Sequence, residues 1–277
     1  MKTIILLIYL FILNGLVTSD SCDCCDKCPN SWNGSCPEIK YVEGGASGEG
    51  GLSRYWNCCK PNCASEEQAA KGNQARQCNA YMHRLYDYST TSKCSGGTAT
   101  TCFSQSPFVI DGCDNIGFGF ASVVGKSSDI CGRCFLIEFT GEGYYTTKEN
   151  HRKLKNKKLI LMAINRDYGD HDGDGFNLLV PGGGHGMYET GCVGIFSGDE
   201  GAKYGGLLSD CQGEAGMHDG EEGYNARKDC LIRKCKENFT DEVREGCLFY
   251  ANFLEAAGNP SYTFKEVECP QILKDRY

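Results

Sequence analysis

An acidic loop holds the densest set of metal-ligating side chains in the sequence. Residues 170–175 read Asp-His-Asp-Gly-Asp-Gly, and D-x-D-x-D-G opens a calcium-binding loop. Such a loop needs a bidentate Glu at its last position, which Pro181 occupies here. No two histidines have HExxH or His-x-His spacing, and each is interpreted as a surface or loop residue. We therefore predict a flexible acidic loop, with no metal and no cofactor.

Two other segments combine side chains that suit binding or catalysis. Residues 53–63 read SRYWNCCKPNC, with three cysteines directly after an aromatic pair. Residues 176–186 read FNLLVPGGGHG and are followed closely by Cys192. Taken singly, the first segment indicates a disulfide cluster beside a core tryptophan, and the second indicates a strand that ends in a glycine turn.

Taken together, the two segments resemble the glycoside hydrolase family 45 endoglucanases, secreted inverting enzymes that cleave β-1,4-glucans such as cellulose. That family has T-R-Y-W-D-C-C-K-P-S-C near its mature N-terminus and F-D-L-x-I/V-P-G-G-G about two-thirds along. The likeness covers roughly residues 53–273, where CNA (78–80), YGG (204–206) and NPS (259–261) follow in the family's order. It implies a six-stranded double-psi β-barrel, a fold shared with expansins, and β-1,4-glucan as the partner.

The resemblance also implies the catalytic positions. In the family the general base is the Asp of RYWD and the general acid is the Asp of FDL; Asn57 and Asn177 stand there in this sequence. An inverting glycosidase needs one carboxyl to protonate the leaving oxygen and another to activate water. An amide has no proton that titrates near neutral pH. We therefore predict that hydrolysis is weak or lost.

Other residues could compensate for these amides. One branch of the family lacks the usual base and is proposed to use an asparagine tautomer, so Asn57 alone would not abolish activity. Asp170 aligns with the family's third, assisting aspartate, and Asp174 lies two residues before the FDL-like segment; either is a candidate substitute acid. The resemblance further implies a set of substrate-binding residues, in which aromatic rings stack on the apolar faces of sugars. These residues are Ser53, Tyr55 and Trp56.

Three hypotheses stay open at this point. The protein is a weak endoglucanase that uses Asp170 or Asp174. Alternatively, it is a non-catalytic glucan-binding or wall-loosening protein similar to expansins. In the third hypothesis the cleft is idle, and a cysteine-rich N-terminal arm recruits a partner or self-associates through disulfides.

The elements that must position these residues are mainly β. Runs with alternating apolar and polar residues lie between glycine-rich turns and predict strands at 116–124, 134–140, 159–165, 176–180 and 262–268. Two helices are predicted, at 66–77 after Ser65 and at 241–257 after Thr240. Many short strands, few short helices and 36 glycines favour a small closed β-barrel with long disulfide-bonded loops.

The N-terminus predicts the compartment and the domain order. Residues 1–19 contain Lys2, an apolar run and a small Ser19, which is typical of a signal peptide. We predict a cysteine-rich extension at 20–42, a flexible Gly-rich linker at 43–51 and the barrel domain at 52–277. No run is long enough for a membrane span. The net charge of −8 argues against nucleic acid as a partner.

The 20 cysteines favour disulfides in an oxidising compartment. Five lie in the extension and fifteen beyond it, so full pairing requires a bridge between the two parts or to another chain. The family resemblance implies five bridges, Cys58–Cys192, Cys59–Cys94, Cys63–Cys131, Cys78–Cys102 and Cys134–Cys247. It also implies a cysteine at Gly132, paired near Cys269, and Cys113 is a candidate replacement.

Overall fold

A computed structural model of the chain describes residues 35–124, 129–167, 175–215 and 218–277. The predicted signal peptide, four of the cysteines of the extension and the acidic loop with Asp170 and Asp174 lie outside these residues. The strands are β1 (Ser47–Gly51), β2 (Ser53–Tyr55), β3 (Phe108–Val109), β4 (Ile116–Val124), β5 (Cys134–Gly143), β6 (Lys158–Asp167), β7 (Gly175–Leu179) and β8 (Pro260–Val267). The helices are α1 (Lys148–Arg152), α2 (Gly206–Ala215), α3 (Gly220–Asn238), α4 (Asp241–Asn252) and α5 (Gln271–Lys274).

All five predicted strands are confirmed, as β4 to β8. The helix predicted at 241–257 is confirmed as α4 but ends at Asn252, because Glu255 and Ala256 adopt positive φ angles of 55° and 50°. The helix predicted at 66–77 is wrong. A single turn forms, in which the Ala69 amide donates to the Ser65 carbonyl, and the chain then reverses at Gly72, whose φ is +86°.

The described strands form one sheet in the order β1-β8-β5-β6-β4-β7-β2, with β3 paired to β4. Its two faces are both buried. Along β6, Leu159 and Leu161 pack into one apolar core, whereas Ile160 and Met162 pack into a second core on the opposite face. This follows from the alternation of side chains along a strand. The structure is therefore a mainly β fold with few helices, and the closed six-stranded barrel is not confirmed, since the sheet has eight strands.

More than half of the segment predicted as a flexible linker at 43–51 is instead part of the sheet. Residues Ser47–Gly51 form β1, antiparallel to β8 over five residue pairs. The glycines are needed for close packing: a Cβ on Gly48 would lie 2.8 Å from the Phe264 ring. Backbone hydrogen bonds hold a strand whatever its side chains are, so a Gly-rich composition did not prevent pairing here.

Eight disulfides link cysteines among the described residues. Four predicted pairs are confirmed, namely Cys58–Cys192, Cys59–Cys94, Cys63–Cys131 and Cys78–Cys102. The predicted bridge from Cys134 to Cys247 is wrong. Cys134 opposes Val267 in the sheet, which places it against Cys269, so those two residues pair with a Cα–Cα distance of 5.1 Å.

The remaining bridges link α3 to its neighbouring helices and the extension to the main domain. Cys247 on α4 pairs with Cys235 on α3, and Cys211 pairs with Cys230. Cys36 pairs with Cys113, so of the two alternatives the structure has the bridge between the extension and the main domain. Cys113 therefore does not replace the cysteine implied at Gly132. The bridges are consistent with an oxidising compartment. Within the described ranges, the helices are too short or too polar to cross a bilayer.

Candidate functional site

A row of polar side chains crosses four neighbouring strands on one face of the sheet. Ser53 on β2 pairs with Asn177 on β7, Asn177 pairs with Ser122 on β4, and Ser122 pairs with Asn165 on β6. Residues that pair directly across a sheet present their side chains on the same face. The register therefore aligns these four residues, which we call the polar row. Ser122 is buried at its centre, and the other three are partly exposed.

A β-bulge in β6 turns the last part of that strand toward the polar row. Ala163 pairs with Ala121 and Asn165 pairs with Ser122, so Ile164 is an extra residue in the ladder. A bulge of this kind reverses which face the following residues occupy. Asn165 and Asp167 consequently lie on the face opposite the one that Leu161 and Ala163 occupy.

Asp167 is a site residue that the sequence analysis did not identify. The Asn177 amide Nδ2 donates a hydrogen bond of 3.0 Å to Asp167 Oδ2. Asp167 pairs with Val124, which in turn pairs with Gly175, so the contact passes over β4. In the sequence the only signal is the run of three polar residues, N-R-D, at the end of an apolar strand.

The Tyr55 hydroxyl is held near the Asp167–Asn177 pair. Asn165 Nδ2 donates to Tyr55 Oη, while Asn165 Oδ1 accepts from the Asn62 backbone amide. Burial raises the pKa of Tyr55 well above its usual range; the hydrogen bond from Asn165 opposes this, and the negative charge of Asp167 adds to it. The Tyr55 hydroxyl therefore stays neutral and available as a hydrogen-bond donor.

Trp56 does not have the predicted position. Its side chain is 0% exposed and packs in the second core beside Phe103, with ring centroids 6.4 Å apart. The prediction that Trp56 stacks on a sugar is wrong, because the chain turns inward after β2 and the Trp56 amide donates to the Gly184 carbonyl. Tyr55 and Ser53 remain partly exposed.

Asn57 is held rigidly just beyond β2. Its Oδ1 accepts a 3.1 Å hydrogen bond from the Cys59 amide, and the disulfides of Cys58 and Cys59 clamp the same segment. Gly191 packs so closely that a Cβ there would lie 2.0 Å from the Asn57 carbonyl oxygen. Asn57 lies four residues beyond Ser53, the partner of Asn177, which is at most about 13 Å of extended chain.

Arg54 joins three segments that are far apart in the sequence. Its Nε donates to the Gly205 carbonyl and its Nη1 to Asn259 Oδ1, both at 3.1 Å. The guanidinium also lies over the Tyr250 ring, 5.3 Å from its centroid. The RYW, YGG and NPS motifs, which are far apart in the sequence, thus meet at Arg54.

Among the residues that the structure describes, the site combines neutral hydrogen-bonding groups with the carboxylate of Asp167. Asn57, Asn177 and Asn165 supply amides, Ser53 and Tyr55 supply hydroxyls, and Asp167 supplies a charge. Across the part of the chain that the structure describes, no three His, Cys, Asp or Glu side chains are grouped as metal ligands. Separately, His151 is 2% exposed and bonded to the Gly258 carbonyl, so its interpretation as a surface residue is wrong.

Comparisons with known proteins agree with this arrangement. The chain is 34% identical to Endoglucanase B of Cellvibrio japonicus over 86% of its own length, although it spans only 46% of that relative. It is 30% identical to an endoglucanase of Cryptopygus antarcticus, with 86% of this chain and 92% of the relative covered. The crystal structure of the cellulase from the same Antarctic springtail matches with a TM-score of 0.65 and 28% identity, and covers 83% of this chain and 96% of that one.

The family model for glycosyl hydrolase family 45 matches residues 49–229, a range that begins within β1 and includes the whole polar row. The match thus contains both motif segments from which the resemblance was first inferred. With the motifs, the sheet and this match in agreement, the chain belongs to glycosyl hydrolase family 45.

Proposed function

We propose that this protein is a secreted β-1,4-glucan-acting member of its family in which Asn57 and Asn177 occupy the base and acid positions, so that hydrolysis is weak or lost. The substrate class is supported by the endoglucanase relatives and by the meeting of the three motifs at Arg54. Secretion is supported by the disulfides and by the sequence of residues 1–19.

The observation that carries the proposal is the hydrogen bond from Asn177 to Asp167. An amide can donate this bond, whereas an ionised carboxylate at the same position could only repel Asp167. The site thus accommodates an amide at position 177. The register supports the assignment of the two roles, since Asn177 pairs with Ser53 and Asn57 lies four residues beyond Ser53, so both amides lie close to β2.

A six-stranded barrel is part of the same proposal. Only Leu52 separates β1 from β2, so residues 47–55 are nearly one continuous strand. Its first half pairs with β8 and its second half with β7, which are the two ends of the remaining path β8-β5-β6-β4-β7. This arrangement supports closure of six strands, with β3 as an addition at the edge.

The test is the release of reducing ends from carboxymethyl cellulose and barley β-glucan. We expect the double variant Asn57→Asp, Asn177→Asp to exceed the unmodified protein by about 10²-fold or more, because it restores an acid and a base. Asn115→Asp, Asn156→Asp adds the same charge at exposed positions and should leave the rate unchanged. Brisk hydrolysis by the unmodified protein, equal to that of the double variant, would show that a proton donor exists elsewhere.

A second candidate function is glucan binding without cleavage, as in expansins. It is favoured by the polar row, which remains assembled although the acid and base positions hold amides. Retention on cellulose with no release of sugar, from both the unmodified protein and the double variant, would establish this function. Failure to bind any β-glucan would reject both candidates.

A further inference from the structure

The Asp167–Asn177 contact is built by three strands that fix its geometry. β4 lies between β6 and β7, so the two side chains must reach each other over it. On β4 the nearest residues are Val124, which pairs with Asp167, and Ser122, which pairs with Asn177. On β7, Gly175 pairs with Val124 and adds no side chain beside the contact. The alignment depends on the bulge at Ile164, which places Asp167 on the face of the polar row.

This contact fixes the orientation of the Asn177 amide. Because Nδ2 is bonded to Asp167, Oδ1 points away from the carboxylate. An amide oxygen has two lone pairs and an ionised carboxylate has about four acceptor positions, so each can accept further hydrogen bonds. The pair therefore presents acceptor oxygens, and a matching ligand must supply hydrogen-bond donors.

The neighbouring groups restrict the ligand further. The charge of Asp167 disfavours an anionic ligand. Ser53 pairs with Asn177 on the next strand and adds a hydroxyl, and the neutral Tyr55 hydroxyl lies beside Asn165. Neutral donors and acceptors spaced along a partly exposed row match the hydroxyl groups of an uncharged sugar.

We infer that Asp167 is a substrate-binding residue, and that Asp167 and Asn177 together accept hydrogen bonds from the hydroxyl groups of one glucosyl unit. This inference rests on the proposed function and specifies which residues hold its substrate. It gives position 177 a binding role that does not require a titrating proton. It also adds Asp167, on β6, to the site residues implied by the family resemblance.

The test is binding of cellohexaose by isothermal titration calorimetry. We expect Asp167→Ala to weaken binding about tenfold, as does loss of a hydrogen bond to a charged group. Asn177→Ala should have a similar effect, and the double variant should be little weaker than either single variant, since the two residues act as a unit. Asp167→Asn keeps an oxygen that accepts from Asn177 Nδ2 and should recover part of the loss. Similar urea-unfolding midpoints for Asp167→Ala and the unmodified protein would exclude a merely structural cause of the weaker binding.

Controls separate this inference from the proposed function. Asp229→Ala removes the same charge from an exposed position on α3 and should change affinity less than twofold. If the unmodified protein binds cellohexaose and Asp167→Ala binds equally well, the inference is wrong while the proposed function stands. Additive losses in the double variant would also overturn it. If the unmodified protein binds no cello-oligosaccharide and no β-glucan, the proposed function itself fails.

Discussion

Two carboxylates in different parts of the molecule have contrasting surroundings. Glu255, just after α4, is 9% exposed and receives hydrogen bonds from Lys157 Nζ at 2.6 Å, Lys228 Nζ at 2.7 Å and the Tyr224 hydroxyl. Asp167, beside the polar row, is more exposed and accepts a hydrogen bond from the neutral Asn177 amide. The first carboxylate is held by ion pairs, and the second belongs to a hydrogen-bonding surface.

This difference shows which carboxylates the fold depends on. Burial alone would raise the pKa of Glu255, but the bonds from Lys157, Lys228 and Tyr224 outweigh burial and lower it. Glu255 thereby ties α3 to the connection between β5 and β6. The strands under Asp167 are instead joined by backbone ladders, which do not depend on side-chain charge. We therefore expect that an acid on this face of the sheet can be exchanged for an amide without loss of the fold.

The largest effect on stability is expected from Glu255→Gln. Removing one partner from a buried ion network typically costs about 3–5 kcal/mol, because the remaining charges are left uncompensated. Since the folded pKa of Glu255 is lowered, its contribution is present above the ordinary pKa of 4.5 and is lost as pH falls below that value. Urea unfolding at pH 7 and at acidic pH measures both effects. Glu138→Gln, which breaks an exposed 3.7 Å pair with Lys158, should cost less than about 1 kcal/mol.

The second-largest effect on stability is expected from Asn177→Asp. Asn177→Asp would place a second carboxylate against Asp167, where like charges raise the pKa of one of the two. A raised folded pKa leaves stability intact at low pH and removes it as pH rises through that pKa. We expect a loss of about 1–2 kcal/mol at pH 8 and little loss at pH 4. Equal unfolding midpoints for the variant and the unmodified protein at both pH values would mean that the two groups do not interact.

Glu200 is a third carboxylate, and its environment differs from those of Glu255 and Asp167. Burial, and secondarily the charge of Asp199, raises the pKa of Glu200 from 4.5 to about 7, and its Oε2 is buried with no hydrogen-bond partner in the described structure. The protein should therefore lose stability as pH rises from about 4.5 to 7. Glu200→Gln should remove that loss and gain about 1 kcal/mol at pH 7.5, after allowance for solvent screening. Glu189→Gln, at an exposed ion pair with Lys203, is the control.

The sequence predicted the elements in which apolar side chains recur at a regular period. Five strands were identified because apolar residues recur along them, and both cores need those residues. β1 was missed because Ser-Gly-Glu-Gly-Gly has no apolar pattern, although the Phe264 ring covers it. α3 was missed because few of its residues are apolar; disulfides and the Glu255 network hold it instead.

The candidate site was predictable only in part, for a geometric reason. The motifs identified Asn57 and Asn177 along the chain, and pairing with Ser53 then placed position 177. Asp167 could not be found in this way. Its contact with Asn177 depends on the extra residue at Ile164, and a one-residue change of register moves every later side chain to the other face.

The smallest stability effect should come from Asp167, for which we inferred a role in binding. Asp167→Ala removes a partly exposed carboxylate whose neighbours are held by backbone ladders, so we expect unfolding to change by less than about 1 kcal/mol. Urea midpoints measured beside those of Glu255→Gln make the comparison direct. A loss as large as that of Glu255→Gln would mean that Asp167 supports the sheet, and that the fold does constrain charge in the polar row. A small loss accompanied by weaker sugar binding would place the two carboxylates in different roles, one structural and one in ligand recognition.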